Sequence, residues 1–479
     1  MANGAGGFVS DTVRVMTGNV VYVLCETAVG LLCPLMLGIT DYGYFKIFSL
    51  YAAYTAFLQL GMTDGLSMEL AGRTYDSLER PAMRAYTRSF IAVQTAAGLI
   101  IAAFSAVALS DEYRFIGIVI ALRAAAINVT TYYRAVSEAT CRFSEYSVLG
   151  VVSALLRFTA AVVLAAVCGM GNVSYRWYLY ASAAIWIGVM LWYAMRYRDI
   201  TFGRAEKLSR TLPMLRRTVG RGILLTASAE LLRVVGMLDR QIVSLAYSTD
   251  DYAVYAFAHS MLAVGTTVTA SVAVVLFPYL KRLGERAVRH FSDTLSLFSA
   301  LCGICLAGYF PLEVFVRTLM ADYAPSLEYL RLLMPQLIFS GAVTVIIFTY
   351  YKVSGRLGGC LAAGAASIAM SLALELSAQA IFGSIRAVCA AASVASAAAY
   401  LIYLLCFLRR HKKSPWLRSF VLSCITSAAF CTVTALTLPT VAKMFIYIAV
   451  SAVTAAVSGV TPKRIREIVQ SKHSAEPKA

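Results

Sequence analysis

Long apolar runs, each closed by a short polar or basic stretch, recur from one end of the chain to the other. They fall at residues 13–38, 44–70, 88–109, 115–137, 147–169, 176–196, 220–246, 253–280, 292–317, 327–351, 358–380, 384–408, 419–438 and 442–460. A bilayer crossing needs roughly 20 mostly apolar residues as helix. Backbone groups in hydrocarbon must pair within their own segment, so repeated runs of this length predict a helical bundle. The short alternating segments of an outer-membrane barrel are not found in the sequence. The pattern predicts an all-α integral membrane protein of about fourteen transmembrane helices. Runs 13–38, 44–70 and 220–246 each carry acids within the apolar pattern. The Gly-rich, uncharged stretch from Met1 to Ser10 reads as a retained tail, since the run behind it is too long for a signal segment.

Composition strengthens this reading: 59% of the 479 residues are hydrophobic and only 14% are charged, against about 25% charged in a typical soluble domain. The bases then orient the spans. One set of loops holds Arg73, Arg80, Arg84 and Arg88; Arg134 and Arg142; and Arg196, Arg198, Arg204, Lys207, Arg210, Arg216, Arg217 and Arg221. The set continues with Lys281, Arg282, Arg286 and Arg289; Lys352 and Arg356; Arg409, Arg410, Lys412, Lys413 and Arg418; and the tail from Lys463 to Lys478. The alternate loops hold only Lys46, Arg114, Arg176, Arg386 and Lys443. With Arg14 on the basic side the division is about 31 against about 5, and basic loops stay in the cytoplasm, so both termini are expected there. The net charge of +17 is therefore a matter of topology and anionic-lipid contact. Bases spread over membrane loops do not make a nucleic-acid surface.

Cysteine and histidine add no chemistry. Ten of the eleven cysteines lie in apolar runs and Cys141 in a short basic loop. Cys302 and Cys305 form a C-x-x-C inside a span with no second pair, which reads as core rather than as a metal site. His259, His290, His411 and His473 have no ligand-like spacing, and no nucleophile elbow, Walker or dinucleotide fingerprint occurs in the right context. No cofactor and no catalytic residue are expected.

The longest basic loop, from Arg196 to Arg221, contains Pro213 and separates the first six spans from the next group. Asp41-Tyr42-Gly43-Tyr44-Phe45 after the first span has a counterpart in Asp251-Tyr252-Ala253-Val254-Tyr255 after the seventh. This correspondence suggests two parallel six-helix repeats, an arrangement that forms a substrate cavity at the repeat interface. The expected organisation is an N-lobe at 1–196, a cytoplasmic basic loop at 197–219, a C-lobe at 220–408, and two further spans with a basic tail at 409–479.

At this point a family resemblance emerges. The carrying residues are Leu37-Gly38 before Asp41-Tyr42-Gly43-Tyr44-Phe45, and Leu60-Gly61-Met62-Thr63-Asp64-Gly65. Tyr133-Arg134 through Arg142-Phe143 with Tyr146-Ser147 follow, then Leu238-Asp239-Arg240-Gln241-Ile242-Val243 with Tyr252 and Tyr255. In order and spacing the chain resembles the polysaccharide flippases of the multidrug/oligosaccharidyl-lipid/polysaccharide (MOP) exporter superfamily, which move lipid-linked O-antigen or capsule repeat units. The resemblance implies alternating access, a polyprenyl-diphosphate-linked oligosaccharide as substrate, residence in the bacterial inner membrane, and polysaccharide polymerases and glycosyltransferases as partners.

The residues supply matching chemistry. A diphosphate crossing a low-dielectric interior needs fixed cations, preferably arginine with its planar fork, and ionisable residues inside spans are the default functional candidates. Arg157, Arg233, Arg240 and Arg123 are the candidate substrate-binding residues. Treated as one continuous helix, span seven places Glu230, Arg233 and Arg240 on one face. Glu26, Glu230, Asp239 and Asp64 are candidates for ion coupling or gating, with Glu69 near the same helix end as Asp64. The plain alternative for each is a buried ion pair or a snorkelling side chain. Other functions remain: a lipid II flippase, a drug/cation antiporter of the same superfamily, or, as a different class, a membrane polymerase or ligase. External loops of about ten residues or fewer leave little room for the last.

Overall fold

The computed structural model describes residues 3–283, 291–409 and 416–457. The basic residues Arg286, Arg289, Arg410, Lys412 and Lys413, the tail from Lys463 to Lys478, and His290, His411 and His473 lie outside the described residues.

In chain order the helices are α1 (Asn3–Met36), α2 (Ile39–Ala53), α3 (Met62–Leu70), α4 (Arg80–Ala108), α5 (Asp111–Ala139), α6 (Phe143–Cys168) and α7 (Tyr175–Arg196). There follow α8 (Arg198–Thr201), α9 (Leu208–Val235), α10 (Leu238–Ala246), α11 (Thr249–Leu283), α12 (Phe291–Cys305) and α13 (Tyr309–Leu319). The remainder are α14 (Ser326–Leu333), α15 (Gln336–Gly341), α16 (Phe348–Val353), α17 (Leu357–Phe382), α18 (Ile385–Leu408), α19 (Trp416–Ala435) and α20 (Thr440–Val457). Every predicted apolar run coincides with one or more of these helices, and among the described residues nine helices are long and apolar enough to cross a membrane. The only extended pairing described is an isolated bridge between Leu37 and Val173. The Gly-rich start is already helical from Asn3.

The chain divides into two compact units, Met1–Glu230 with Ser248–Ala253, and Leu231–Tyr247 with Val254–Ala479. In the first, α1 packs along α6 and α4 along α5. In the second, α17 packs along α18, and α12 receives α19, which in turn packs on α20. A polar seam fastens α19 and α20: Ser296 and Ser419 hydroxyls meet at 2.6 Å, Ser423 donates to Ser299 at 3.1 Å, and Tyr447 donates to the Gly303 carbonyl at 2.7 Å. Small hydroxyl side chains permit close helix approach where apolar burial gives no advantage over lipid.

Segment 197–219, expected as a loop, is helical over most of its length, with Pro213 inside α9. The short stretch between α8 and α9 is held down by α4. Arg84 donates from Nε to the Asp199 carbonyl at 2.8 Å and from a terminal nitrogen to that of Arg204 at 3.1 Å, while Arg88 reaches the Gly203 carbonyl at 2.5 Å. Close by, Arg142 and Arg80 lie over the Tyr75 ring at 3.7 and 4.3 Å. Burial raises the Tyr75 phenol above its ordinary value, so it remains a neutral π-face under two cations.

The second apolar run is not one continuous helix. After α2 the chain tightens into a 3₁₀ segment, Tyr54–Gln59, and reverses through Leu60 and Gly61 at φ 50° and 75° before α3. Carbonyls released by such a break must find donors, since hydrocarbon offers none. Two amides and a phenol supply them, and a third amide, that of Gln59, braces one of the two. Asn128 on α5 donates to the Thr55 carbonyl at 3.0 Å and to the Gln94 side chain at 2.7 Å. Gln94 on α4 donates to Leu58 at 2.8 Å, Gln59 to Asn128 at 3.3 Å, and Tyr86 to Met62 at 2.7 Å. Against this break α9 approaches backbone to backbone: a Cβ on Gly61, Gly65 or Gly222 would overlap main-chain atoms of the facing helix.

Gly222→Val is expected to destabilise the protein by about 3 kcal/mol through overpacking, read as a lowered thermal midpoint in detergent, while Gly220→Ala, which meets open space, leaves it unchanged. Gln94→Leu and Asn128→Leu should each cost about 1–3 kcal/mol by orphaning a buried partner. Because the two share one network, the double variant should cost clearly less than the sum, whereas strict additivity would show that the amides act independently.

Candidate substrate-binding and coupling sites

The first unit gathers three of the predicted ionisable residues. Glu26 on α1 and Arg157 at mid-length of α6 come together because α1 lies along α6. Arg157 is 7% exposed. One terminal nitrogen lies 2.6 Å from Glu26 Oε1, and the other donates to Oε2 at 3.3 Å. The shorter contact lacks hydrogen-bond alignment, so it is an ion pair held by charge, with the better-directed bond at the longer distance. Arg157 Nε donates to the Ser153 carbonyl at 3.2 Å, and the guanidinium lies 5.0 Å from the centre of the Trp186 ring on α7. Arg123 on α5 is half-buried, lies 5.2 Å from the Phe48 ring, and sits within electrostatic reach of both Arg157 and Glu26. Its Nε is buried without a hydrogen-bond partner. Two cations and one acid at membrane depth form a site of net positive charge, and Trp186 and Phe48 shape it.

The predicted gating residues both lie on α3, Asp64 in its first turn and Glu69 in its last. Thr226 on α9 donates to the Asp64 carboxylate. Glu69 is approached by Arg221 at 3.1 Å, Arg217 at 3.6 Å and Arg73 at 3.8 Å. These contacts, with the glycine approach of α9, join α3 to α9 by charge, hydrogen bonding and close packing together.

Span seven requires a correction. The helix breaks at Gly236 and Met237, so Arg240 lies in the first turn of a new helix and the single continuous stripe with Glu230 and Arg233 is interrupted. The cause is local: Gly236 has no Cβ to favour helix, and the Arg240 guanidinium caps its released carbonyl at 2.7 Å. Arg240 is therefore partly engaged in holding the break. Glu230 is buried and Arg233, one turn later, is exposed.

Asp239, the residue after Leu238 at the start of α10, anchors the second unit's polar centre. It is 3% exposed. Its Oδ1 accepts the Arg240 backbone N–H at 2.7 Å, and its Oδ2 lies 2.8 Å from the Tyr255 hydroxyl and 2.9 Å from His259 Nε2. Tyr255 and His259 are one turn apart on α11 and 3.0 Å from each other. Glu375 on α17 faces the same centre within electrostatic reach of Asp239. Ser371 donates to its Oε1 at 2.7 Å, and its buried Oε2 has no hydrogen-bond partner. Sequence reasoning missed Glu375 and His259. The signal was present, since Glu375 is the lone charged residue of run 358–380. Among the described residues no group of His, Cys, Asp and Glu is arranged to hold a metal ion, and the cysteines described are all free thiols.

The motif residues Asp41 to Gly43 are structural. Asp41 Oδ1 accepts the Tyr175 N–H at the start of α7 at 2.8 Å, Tyr42 is fully buried, and Gly43 leaves room for the Thr249 backbone. In the counterpart motif, Ser248 donates to Asp251 at 2.6 Å and receives its N–H at 3.2 Å, which caps α11.

Comparison with known proteins agrees with this architecture. No curated protein sequence matches the chain. Among solved structures, a lipid II flippase, MurJ, in an inward closed conformation superposes with a TM-score of 0.67 at 12% identity, covering 96% of this chain and 100% of that one. An inward-facing multidrug resistance MATE family transporter of the MOP superfamily gives 0.63 at 14% identity, covering 81% and 94%. A Vibrio cholerae MATE transporter gives 0.56 at 14% identity, covering 85% and 97%. At these identities the likeness shows the fold. A sequence-family profile described as "Polysaccharide biosynthesis protein" matches residues 36–311, more than half of the 479. The chain belongs to the polysaccharide biosynthesis protein family, and its fold is that of the flippase and transporter structures on which it superposes.

Proposed function

We propose that this protein carries a polyprenyl-diphosphate-linked oligosaccharide from the cytoplasmic to the outer leaflet of a bacterial inner membrane, by alternating access, for surface polysaccharide synthesis. The observation that carries this reading is the placement of Arg157 and Arg123 around one acid at membrane depth in the first unit. Cations in a low-dielectric region are costly unless they serve an anion, and arginine is suited to phosphate oxygens. Arg233 and Arg240 are proposed as further substrate-binding residues. The alternation of basic and base-poor loops supports cytoplasmic termini. Polymerases and glycosyltransferases that extend and supply the glycan are the partners this reading implies.

Coupling we assign to Asp239, His259, Tyr255 and Glu375. Two buried carboxylates beside an imidazole can exchange a proton or hold a monovalent cation, and loading or release changes the charge of the second unit's interior. Asp64 and Glu69 are proposed as gating residues, since their ties to α9 are of the kind that break and re-form. A lipid II cargo is the second reading, favoured by the MurJ superposition extending over nearly the whole of both chains. An antiporter reading is weaker, because the MATE match leaves a larger share of this chain uncovered.

Arg157→Ala should lower surface-polysaccharide export about tenfold or more at normal membrane protein level, and Arg233→Ala should lower it too; full export in both would remove the site assignment. In proteoliposomes, flux of a labelled lipid-linked glycan should rise with an imposed pH or sodium gradient. Glu375→Gln and Asp239→Asn should make flux indifferent to it, and a wild-type flux that ignores both gradients refutes the coupling assignment.

A further inference from the structure

Arg157 is already occupied. Both terminal guanidinium nitrogens contact Glu26, Nε is on the Ser153 carbonyl, and one face lies near Trp186. A diphosphate needs the same edge of the guanidinium, because two parallel N–H donors are what make arginine selective for phosphate oxygens. The carboxylate of Glu26 and an anionic headgroup therefore compete for one set of donors. We infer that Glu26 is a built-in rival of the anionic substrate: it fills the Arg157 fork, and an incoming diphosphate must displace it. This rests on the proposed diphosphate reading and adds to it a residue that sets affinity by competition rather than by contact.

Three features make the exchange workable. Glu26 is the more accessible partner, with its side chain 35% exposed against 9% for Arg157, so the acid can move out while the guanidinium stays. Arg157 keeps its orientation through Ser153 and Trp186, neither of which depends on Glu26. Arg123 lies within reach of both groups, so an acid that leaves Arg157 remains near a cation. The pairing spares Arg157 an uncompensated buried charge, which is the costly alternative. It also keeps affinity moderate, so that the headgroup can leave on the far side.

The test uses the full chain in nanodiscs and equilibrium dialysis of radiolabelled inorganic pyrophosphate. Glu26→Gln should bind about tenfold tighter than wild type, the scale of a released charge pair. Glu26→Asp, which withdraws the carboxylate without changing net charge, should also bind tighter, though less so; this separates competition from a general gain in positive potential. Arg157→Lys in the Glu26→Gln background should abolish the gain. Equal or weaker binding in both Glu26 variants, or a gain that survives loss of the arginine, overturns the inference while leaving the diphosphate reading in place. Failure of every protein, wild type included, to bind either pyrophosphate or farnesyl diphosphate refutes that reading, and the inference with it.

Discussion

Inside a bilayer a backbone N–H or C=O has no water to turn to, and every feature of this chain follows from where that demand is met. Long helices meet it by themselves, which is why the apolar runs became helices wherever the chain is described. Where a span is interrupted, side chains from neighbouring helices must answer. The break between α2 and α3 is answered by Asn128, Gln94 and Tyr86, and the break between α9 and α10 by Arg240. A candidate residue stands just beyond each interruption: Asp64 follows the first and Asp239 the second.

Charge follows a parallel rule. An ion in a low-dielectric interior must be paired or neutralised. Each unit satisfies the rule differently: the first places two arginines around Glu26, the second groups Asp239 and Glu375 with a histidine and a tyrosine. An arginine-rich centre suits an anionic headgroup, and an acid-rich centre suits a proton or small cation. Assigning cargo to one and coupling to the other gives each centre the chemistry its residues favour.

Much of the architecture was legible in the sequence, and the reasons are specific. Arg157 and Glu26 were detectable because an isolated ionisable residue deep in an apolar run is rare, and Asp239 because it also stands in the motif Leu238 to Val243. Glu375 offered the same signal, as the lone charged residue of its run. Gln59, Gln94 and Asn128 carry no charge and lie far apart along the chain, so nothing in the sequence showed that they belong together. The stripe drawn through Glu230, Arg233 and Arg240 failed because helical periodicity holds only while the helix continues, and at Gly236 it does not.

Taken alone, the sequence determined what depends on local composition: helices of membrane length, the alternation of basic and base-poor loops, and the rarity of ions within spans. These are properties of single segments meeting a slab of hydrocarbon, and no partner helix is needed to produce them. Only tertiary structure decided which ion meets which, that Glu26 rather than solvent faces Arg157, that Glu375 turns toward Asp239, and that three glycines let α9 rest on the broken helix. Those outcomes depend on helices distant in sequence approaching within a few ångströms, and such pairings leave no periodic trace along the chain.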